Sequence, residues 1–357
     1  MAALAPPPFI HDLTFDDLES HLVQRGEPSF RARQVWSHLY GRLATNPAEM
    51  SGVPAALAHH LASFNFSPLH LSHEWRSPDG RTLKVLFDLH DGATVESVLM
   101  GTDRRRTVCI SSQAGCGMGC VFCATGQMGL SRNLTSGEIV AQVLFLARHL
   151  AQHAERITNI VVMGMGEPMQ NYAATLAATD RLTDPAGFAL GARRITISTV
   201  GLVPAIRRFA DEHRQNNLAV SLHAATDELR SRLLPINRRY PLDSLFDACR
   251  YYVSTTHRRL TFEWALIAGV NDTPEQARAL AERCRGLLCH VNLIPLNPTR
   301  GYNGQPTSRD AAEGFRATLE AHGVPCTVRV RRGIEIEAGC GQLASQRVAA
   351  TNTTPGE

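Results

Sequence analysis

The apolar positions along this 357-residue chain change their period twice. Residues 1–73 carry helical spacing. In FRARQVWSHLY, the apolar residues Val35, Trp36, Leu39 and Tyr40 fall on one helical face, so a small helical domain is expected. Between 74 and 100 the period shortens. EWRSPDGRTLKVLFDLHDGATVESVLM holds Asp-Gly pairs at 79–80 and 91–92, flanked by runs rich in Val, Leu, Phe and Thr. That pattern predicts a three-stranded antiparallel meander.

From 101 to 335 strand-like and helix-like runs alternate. TVCISSQ precedes TSGEIVAQVLFLARHL, ITNIVVMG precedes NYAATLAATDRLT, and RITISTVG precedes VPAIRRFADEH. LAVSLHAA, RLTFEWALIAG, VNLIPLN and TVRVRR continue the strand series. Thr135 and Glu138 are spaced as a capping box at the first of these helices. Repeated units of this kind specify an α/β fold with a parallel sheet or barrel. Six to seven strands suit a partial barrel.

Parallel strands covered on both faces are almost wholly apolar. Here Thr196 and Ser198 alternate with Ile195 and Ile197, and Ser221 and His223 alternate with Val220 and Leu222. The polar parity predicts a cavity that holds a polar ligand; residues facing water at a barrel mouth would give the same pattern. Residues 336–357 read as a C-terminal tail, and its last stretch, VAATNTTPGE, as disordered.

Composition changes this picture little. The formal net charge is only +3, which does not announce a nucleic-acid partner. Of 36 basic residues only one, Lys84, is a lysine. Arginine is the better bidentate phosphate ligand, so the bias could report RNA contact; arginine-rich codon usage would produce it too. Nine cysteines are too few and too unevenly spaced for a secreted disulfide scaffold. The start, MAALAPPPFIHDLTF, has no basic n-region, and no stretch reaches the ~18 apolar residues of a membrane span. A cytoplasmic protein with reduced thiols and no membrane partner is expected.

The stretch CGMGCVFC places cysteines at 116, 120 and 123. A closed zinc site takes four ligands. Three cysteines can hold three irons of a cubane and leave the fourth open to a substrate. Zinc with a distant fourth ligand, such as His149 or His223, and three unligated thiols are the other readings. Gly115, Gly117 and Gly119 would let the loop wrap a cluster. Cys340 lies in AGCGQL between two glycines, which suggests a mobile, accessible residue: a nucleophile, a metal ligand or an idle thiol. By composition, Cys109 reads as a small buried hydrophobe. By strand parity, Glu96 reads as facing solvent.

C-x3-C-x2-C after the first strand of a βα series resembles the radical SAM superfamily. The stretches CISSQAGCGMGCVFCATGQMGLSRNLTSGEI, VVMGMGEPMQN, ITISTVG, VSLHAA, VNLIPLNP and IEAGCGQLA together resemble the RlmN/Cfr family of RNA adenine methyltransferases, over residues 96–345. FRARQVW adds a looser match. The resemblance implies a partial (β/α)6 radical SAM barrel. It implies one 4Fe-4S cluster on Cys116, Cys120 and Cys123, and two S-adenosylmethionine (SAM) molecules per turnover. Gly166 and Glu167 match the contact to the SAM amino group. Ser198, Ser221, Leu222, His223 and Asn297 match further cofactor contacts.

It also implies a reaction. The C2 and C8 carbons of adenine are poor nucleophiles, so direct displacement at the SAM methyl is unfavourable. In the family, one SAM methylates the cysteine matched by Cys340. A second SAM, cleaved at the cluster, yields a radical that takes hydrogen from that methyl. The resulting carbon radical adds to the ring. The base, matched by Glu96, removes the ring proton. The cysteine matched by Cys109 then forms a disulfide with Cys340 and frees the product. The whole pattern, including IEIEAGCGQLA, favours the C2 branch.

The implied partners are 23S rRNA, tRNA and an electron donor such as flavodoxin, with the protein a monomer. The target base must leave its stack to be reached. Arg104, Arg105 and Arg106, with Arg329, Arg331 and Arg332, are candidate phosphate contacts; Arg258 and Arg259 suit a solvated face. Two other classes compete: an iron–sulfur electron carrier, indifferent to SAM, and a zinc-stabilised RNA-binding module. A Rossmann-type methyltransferase is weaker, since GMGEPM is only a partial glycine fingerprint.

Overall fold

Trp36 and Tyr40 are both buried, and they show how the first helices attach to the rest. The computed structural model describes residues 8–344. Helix α1 (Phe15–Val23) starts at a capping box in which Thr14 and Asp17 each bond the other's backbone amide. Helix α2 (Phe30–Trp36) runs into a π-helical turn (Ser37–Gly41), which keeps Val35, Trp36, Leu39 and Tyr40 on the buried side. Helix α3 (Ala55–Leu61) completes the group. The Trp36 indole donates to Asp184 at 2.9 Å, and the Gly137 amide donates to Asp12 at 2.7 Å, so this domain is tied to the barrel by half-buried polar contacts as well as packing.

The meander consists of β1 (Leu69–Arg76), β2 (Thr82–Leu89) and β3 (Thr94–Gly101), all antiparallel. Gly80 and Gly92 take the positive φ that the two tight turns require. Strand β1 begins at Leu69, inside the segment expected to be helical. It is the edge strand of its sheet and mostly exposed, so it shows no alternation that the sequence could reveal.

Strand β4 (Arg106–Cys109) pairs antiparallel with β3, so meander and barrel share one ten-stranded sheet. The run TVCISSQ then splits. The amides of Ser112 and Gln113 both turn to the Met165 carbonyl, and the chain leaves for a separate hairpin. That hairpin pairs β5 (Gln113–Cys116) with β6 (Gly129–Asn133), and the short helix α4 (Ala124–Met128) lies between them.

The barrel proper follows. Helix α5 (Ser136–Ala151) opens on the expected capping box, Thr135 with Glu138. Next come β7 (Asn159–Val162) with α6 (Tyr172–Thr183), and β8 (Ile195–Thr199) with α7 (Val203–Asp211). Strand β9 (Asn217–Ser221) is followed by α8 (Asp227–Leu233) and α9 (Leu242–Thr256). Then β10 (Leu260–Leu266) with α10 (Pro274–Cys284), β11 (Cys289–Pro295) with α11 (Arg309–Ala321), and β12 (Cys326–Val328) close the series.

The order β4-β7-β8-β9-β10-β11-β12 is parallel throughout. Six strand–helix units plus a short seventh strand make the expected partial (β/α)6 radical SAM barrel, extended by the meander. Ile195, Ile197, Leu218, Val220, Phe262 and Trp264 are fully buried. Each such side chain contributes up to about 1.5–3 kcal/mol, and together they hold the strand ends in place. Among the described residues no helix is long and apolar enough to cross a membrane. The stretch VAATNTTPGE lies outside the described residues.

Candidate active site

Strand β5 ends on Cys116, and Cys120 and Cys123 follow in the loop before α4. Two contacts fix this loop: Val121 N–H donates to Leu233 O at 3.1 Å, and Cys123 N–H to Cys120 O at 3.1 Å. Met118, Cys120, Val121 and Cys123 pack against an apolar group that includes Phe122, Leu229 and Leu233. Burial pushes the Cys116 thiol up to about 12 and raises Cys120 and Cys123 as well; Cys116 and Cys123 further raise Cys120. Backbone amides point at the sulfurs, Met118 at Cys116 and Gly126 and Thr125 at Cys123. Such donors stabilise thiolates in a dry site.

Among the described residues, no three His, Cys, Asp or Glu side chains converge as they would around a single ion. Zinc would require that convergence. In a cubane each thiolate binds a different iron, so three separated thiols with amide donors fit a cluster. His223 is also committed elsewhere, since its Nδ1 accepts from Ala265 N–H at 2.9 Å.

The predicted cofactor residues gather at the C-terminal ends of the strands, where a βα barrel presents its site. Gly166 follows β7 with φ +102°, and a Cβ there would lie 2.6 Å from the Gln113 side chain. Only glycine fits. Glu167 is buried and accepts from Met169 N–H at 3.0 Å and Val200 N–H at 2.8 Å. Burial pushes its carboxyl up to about 7. Its side chain thus braces this loop against the end of β8.

Ser198 donates to Val162 O at 3.1 Å. Ser221 ends β9, and His223 follows with φ +60°. Burial holds the His223 imidazole down near 3, so it is neutral, and its Nδ1 acceptor role leaves the proton on Nε2. Leu222 faces the core, its N–H donates to Glu263 O and its carbonyl accepts from Arg230. It shapes the strand end and has no free polar group to offer. Asn297 is buried, and its Oδ1 has no partner, an acceptor suited to a polar ligand such as the SAM amino acid moiety.

The Cys340 loop closes the site. Asn297 Nδ2 donates to Cys340 O at 3.0 Å, and Ala124 N–H donates to Gly341 O at 2.7 Å. Thr125 Oγ1 donates to Leu343 O at 2.6 Å, and Gln342 Nε2 to Pro298 O at 3.0 Å. The loop expected to be mobile is therefore tied down, while Cys340 keeps an exposed edge and its sulfur is turned toward the surrounding protein. Surrounding protein and the Glu263 carboxylate push its thiol up to about 11, against the Arg329 guanidinium. Cys109, buried at the end of β4, is raised by burial and then by the charge of Cys340.

Glu96, on β3, does not face solvent; it is 1% exposed. The continuous sheet buries β3 on both faces, which overrides strand parity. Its Oε2 accepts from Ala344 N–H at 3.1 Å, and its Oε1 lies 3.4 Å from Lys84 Nζ. Glu96 on the meander thus holds the end of the C-terminal loop at Ala344, and Cys109 on the first barrel strand lies within electrostatic reach of Cys340.

Sequence reasoning missed four residues here. Lys84 was a composition fact only. Glu263 on β10 is buried and accepts from Asn292 on β11 at 2.9 Å, its register partner. Their inward parity was the available signal. Arg230 is fully buried and donates to Leu222 O, Val200 O and Asn237 Oδ1. Of the candidate phosphate contacts, Arg106 is engaged by Glu155 and Thr102 O. Arg104, Arg105, Arg329 and Arg331 are exposed, and Arg332 is half-buried.

The Dual-specificity RNA methyltransferase RlmN 1 of Myxococcus xanthus is 52% identical to this chain, over 94% of this chain and 93% of its own length. This chain belongs to the RlmN family. A Probable dual-specificity RNA methyltransferase RlmN of Chloroflexus aurantiacus is 49% identical over 98% of this chain and 96% of its own. The crystal structure of a radical SAM methyltransferase from Sphaerobacter thermophilus, 50% identical, superposes with a TM-score of 0.93 over 95% of this chain and all of that one. The Radical SAM superfamily model matches residues 110–283. The ribosomal RNA large subunit methyltransferase N-terminal domain matches residues 10–65, the three helices before the meander. Neither match reaches Glu96 or Cys340; the Chloroflexus aurantiacus relative, aligned over 98% of this chain, spans both positions.

Proposed function

We propose that this chain methylates the C2 carbon of adenosine in 23S rRNA and in tRNA, through a methyl group carried on Cys340. Its RlmN relatives, named as dual-specificity RNA methyltransferases, support the double substrate. The observation that carries the chemistry is the Cys340 loop itself. Its backbone bonds the cluster loop at Ala124, the cofactor end at Asn297 and the base candidate at Glu96.

When bound on Cys116, Cys120 and Cys123, a 4Fe-4S cluster with SAM supplies the one-electron chemistry that makes a methyl carbon reactive toward an electron-poor ring. The chain supplies the rest. Gly166, Glu167, Ser198, Ser221, His223 and Asn297 would line the bound cofactor. Cys340 holds the methyl as a thioether, exposed where a flipped base can reach it. Glu96 receives the ring proton. Cys109 then bonds the Cys340 sulfur as a disulfide while the bond from that sulfur to the transferred carbon breaks, which leaves the methyl on the released base; the disulfide must be reduced before the next turnover. Arg104, Arg105, Arg329 and Arg331 are proposed to position the RNA through its phosphates.

Nucleoside mass spectrometry tests this reading. Anaerobically reconstituted enzyme, SAM, a reductant and unmodified 23S rRNA or tRNA should give 2-methyladenosine from both RNAs. An 8-methyladenosine product would keep the chemistry and reject the C2 assignment. No methylated adenosine would reject the reading.

A further inference from the structure

Lys84 is the only lysine among 36 basic residues, and it is buried, 4% exposed. A buried ammonium needs partners for three donors. Lys84 Nζ lies 3.4 Å from Glu96 Oε1, donates to Glu337 O at 3.4 Å, and sits 4.4 Å over the Trp75 ring. Carboxylate, carbonyl and π-face each take one side of a compact charge.

The partners straddle Cys340. Glu337 precedes it, and Ala344, whose amide donates to the second oxygen of Glu96, follows it. The Lys84–Glu96 pair therefore grips both ends of the loop that carries Cys340. One end of the grip is the group proposed to take the proton.

We propose that Lys84 is a positioning residue for proton removal, keeping Glu96 ionised in a dry site and aimed across the Cys340 loop. This rests on the reading of Glu96 as the base. A buried carboxylate without a cation would be protonated at rest and could accept nothing. With Lys84 beside it, Glu96 enters the step as a carboxylate. The proton leaves the ring carbon for a Glu96 oxygen, and the electron pair of the C–H bond stays with the ring. Glu96 is then neutral, the Lys84 charge has lost its counter-charge, and the proton is driven out again before the next round.

The test uses the reconstituted holoenzyme as wild type, Lys84→Met, Lys84→Arg and Glu96→Gln, with tRNA. Four quantities are followed: iron content and melting temperature, Cys340 methylation by peptide mass spectrometry, covalent RNA–protein adduct on a denaturing gel, and steady-state 2-methyladenosine. Lys84→Met is expected to keep its iron and its Cys340 methylation. Its kcat should fall about 10- to 100-fold with KM for RNA unchanged, and adduct should accumulate. Lys84→Arg, which keeps the charge, should recover most of the lost rate and clear the adduct.

Wild-type turnover in Lys84→Met overturns the proposal. So does a Lys84→Arg variant as slow as Lys84→Met. Loss of Cys340 methylation in Lys84→Met also overturns it, since that marks general damage to the loop. Glu96→Gln separates the two levels: if it turns over normally without adduct, the base assignment itself is wrong. Wild type without product would instead reject the proposed function.

Discussion

Two loops of this chain carry a cysteine between glycines and meet at the same place. The cluster loop, residues 116–123, is folded mainly by its own neighbours: β5 delivers it, α4 continues it, nearby amides face its sulfurs, and the Val121–Leu233 backbone bond ties it to α8. The Cys340 loop has a local turn, in which Gln342 N–H donates to Gly339 O and Gly339 N–H to Gln342 Oε1, both at 3.0 Å, but no strand or helix delivers it to the site. Distant partners hold it, namely Glu96, Ala124, Thr125, Asn297 and Pro298. A short sequence spacing can specify the first kind of loop. Only the assembled barrel specifies the second. The difference suits the tasks proposed for them, since a cofactor cradle can be built locally, whereas the proposed methyl carrier has to be brought to the cofactor, the proposed base and Cys109 together.

The largest effects should separate the two loops by chemistry. Cys120→Ala is expected to lose the iron, SAM cleavage and methylation together. Cys340→Ala is expected to keep its iron while methyl transfer falls by on the order of 10³-fold or more, as when one member of a catalytic unit is removed. Iron analysis beside nucleoside mass spectrometry reads both. A Cys340→Ala variant that lost its iron would show the loops to be one structural unit. Cys109→Ala comes next. It should stop after a single round with RNA still attached to Cys340, visible as a shifted band on a denaturing gel.

The same contrast explains what the sequence made legible. The barrel strands were readable because each is a compact apolar run between turn signals, and the cysteine triplet because its spacing is local. Strand β1 was not, because an exposed edge strand needs no apolar alternation. Glu96 was misread by parity, because β3 is covered on both faces only once the meander joins the barrel sheet. The partners of Cys340 lie far away in sequence, and no spacing encodes them. Resemblance to a family supplied that residue; periodicity did not.

The glycines beside the cysteines sharpen the comparison. A Cβ on Gly117, in the cluster loop, would meet the Leu130 side chain at 3.6 Å, an ordinary contact. A Cβ on Gly339 would lie 2.6 Å from Asn297 Nδ2 and 2.7 Å from Gln342 Oε1. It would displace the two side chains that hold the Cys340 loop. Gly339→Ala should therefore cost about 10- to 100-fold in kcat while iron content is unchanged, because a shift of about 1 Å at a reacting atom is that expensive. Gly117→Ala should stay within about twofold on both measures. Equal loss in the two variants would erase the distinction between local and long-range construction.

Thr125 is the hinge between the loops, and it carries the smallest predicted effect. Its amide faces the Cys123 sulfur, and its hydroxyl donates to Leu343 O at 2.6 Å inside the protein. Thr125→Val keeps the shape and the amide but removes the donor. The Leu343 carbonyl is then buried without its partner, a cost of about 1–3 kcal/mol. That cost falls on docking of the Cys340 loop, and the Cys123 sulfur loses the Thr125 hydroxyl as a neighbour as well. Hydrogen exchange at the Ala344 amide, which is bonded to Glu96, should quicken about tenfold for each 1.4 kcal/mol lost. Methylation should fall several-fold, and Thr125→Ser, which keeps the hydroxyl, should behave as wild type. Unaltered exchange at Ala344 in Thr125→Val would mean that Glu96 and Asn297 hold the loop without help from the cluster side, so that the two loops meet at the site but are not mechanically joined.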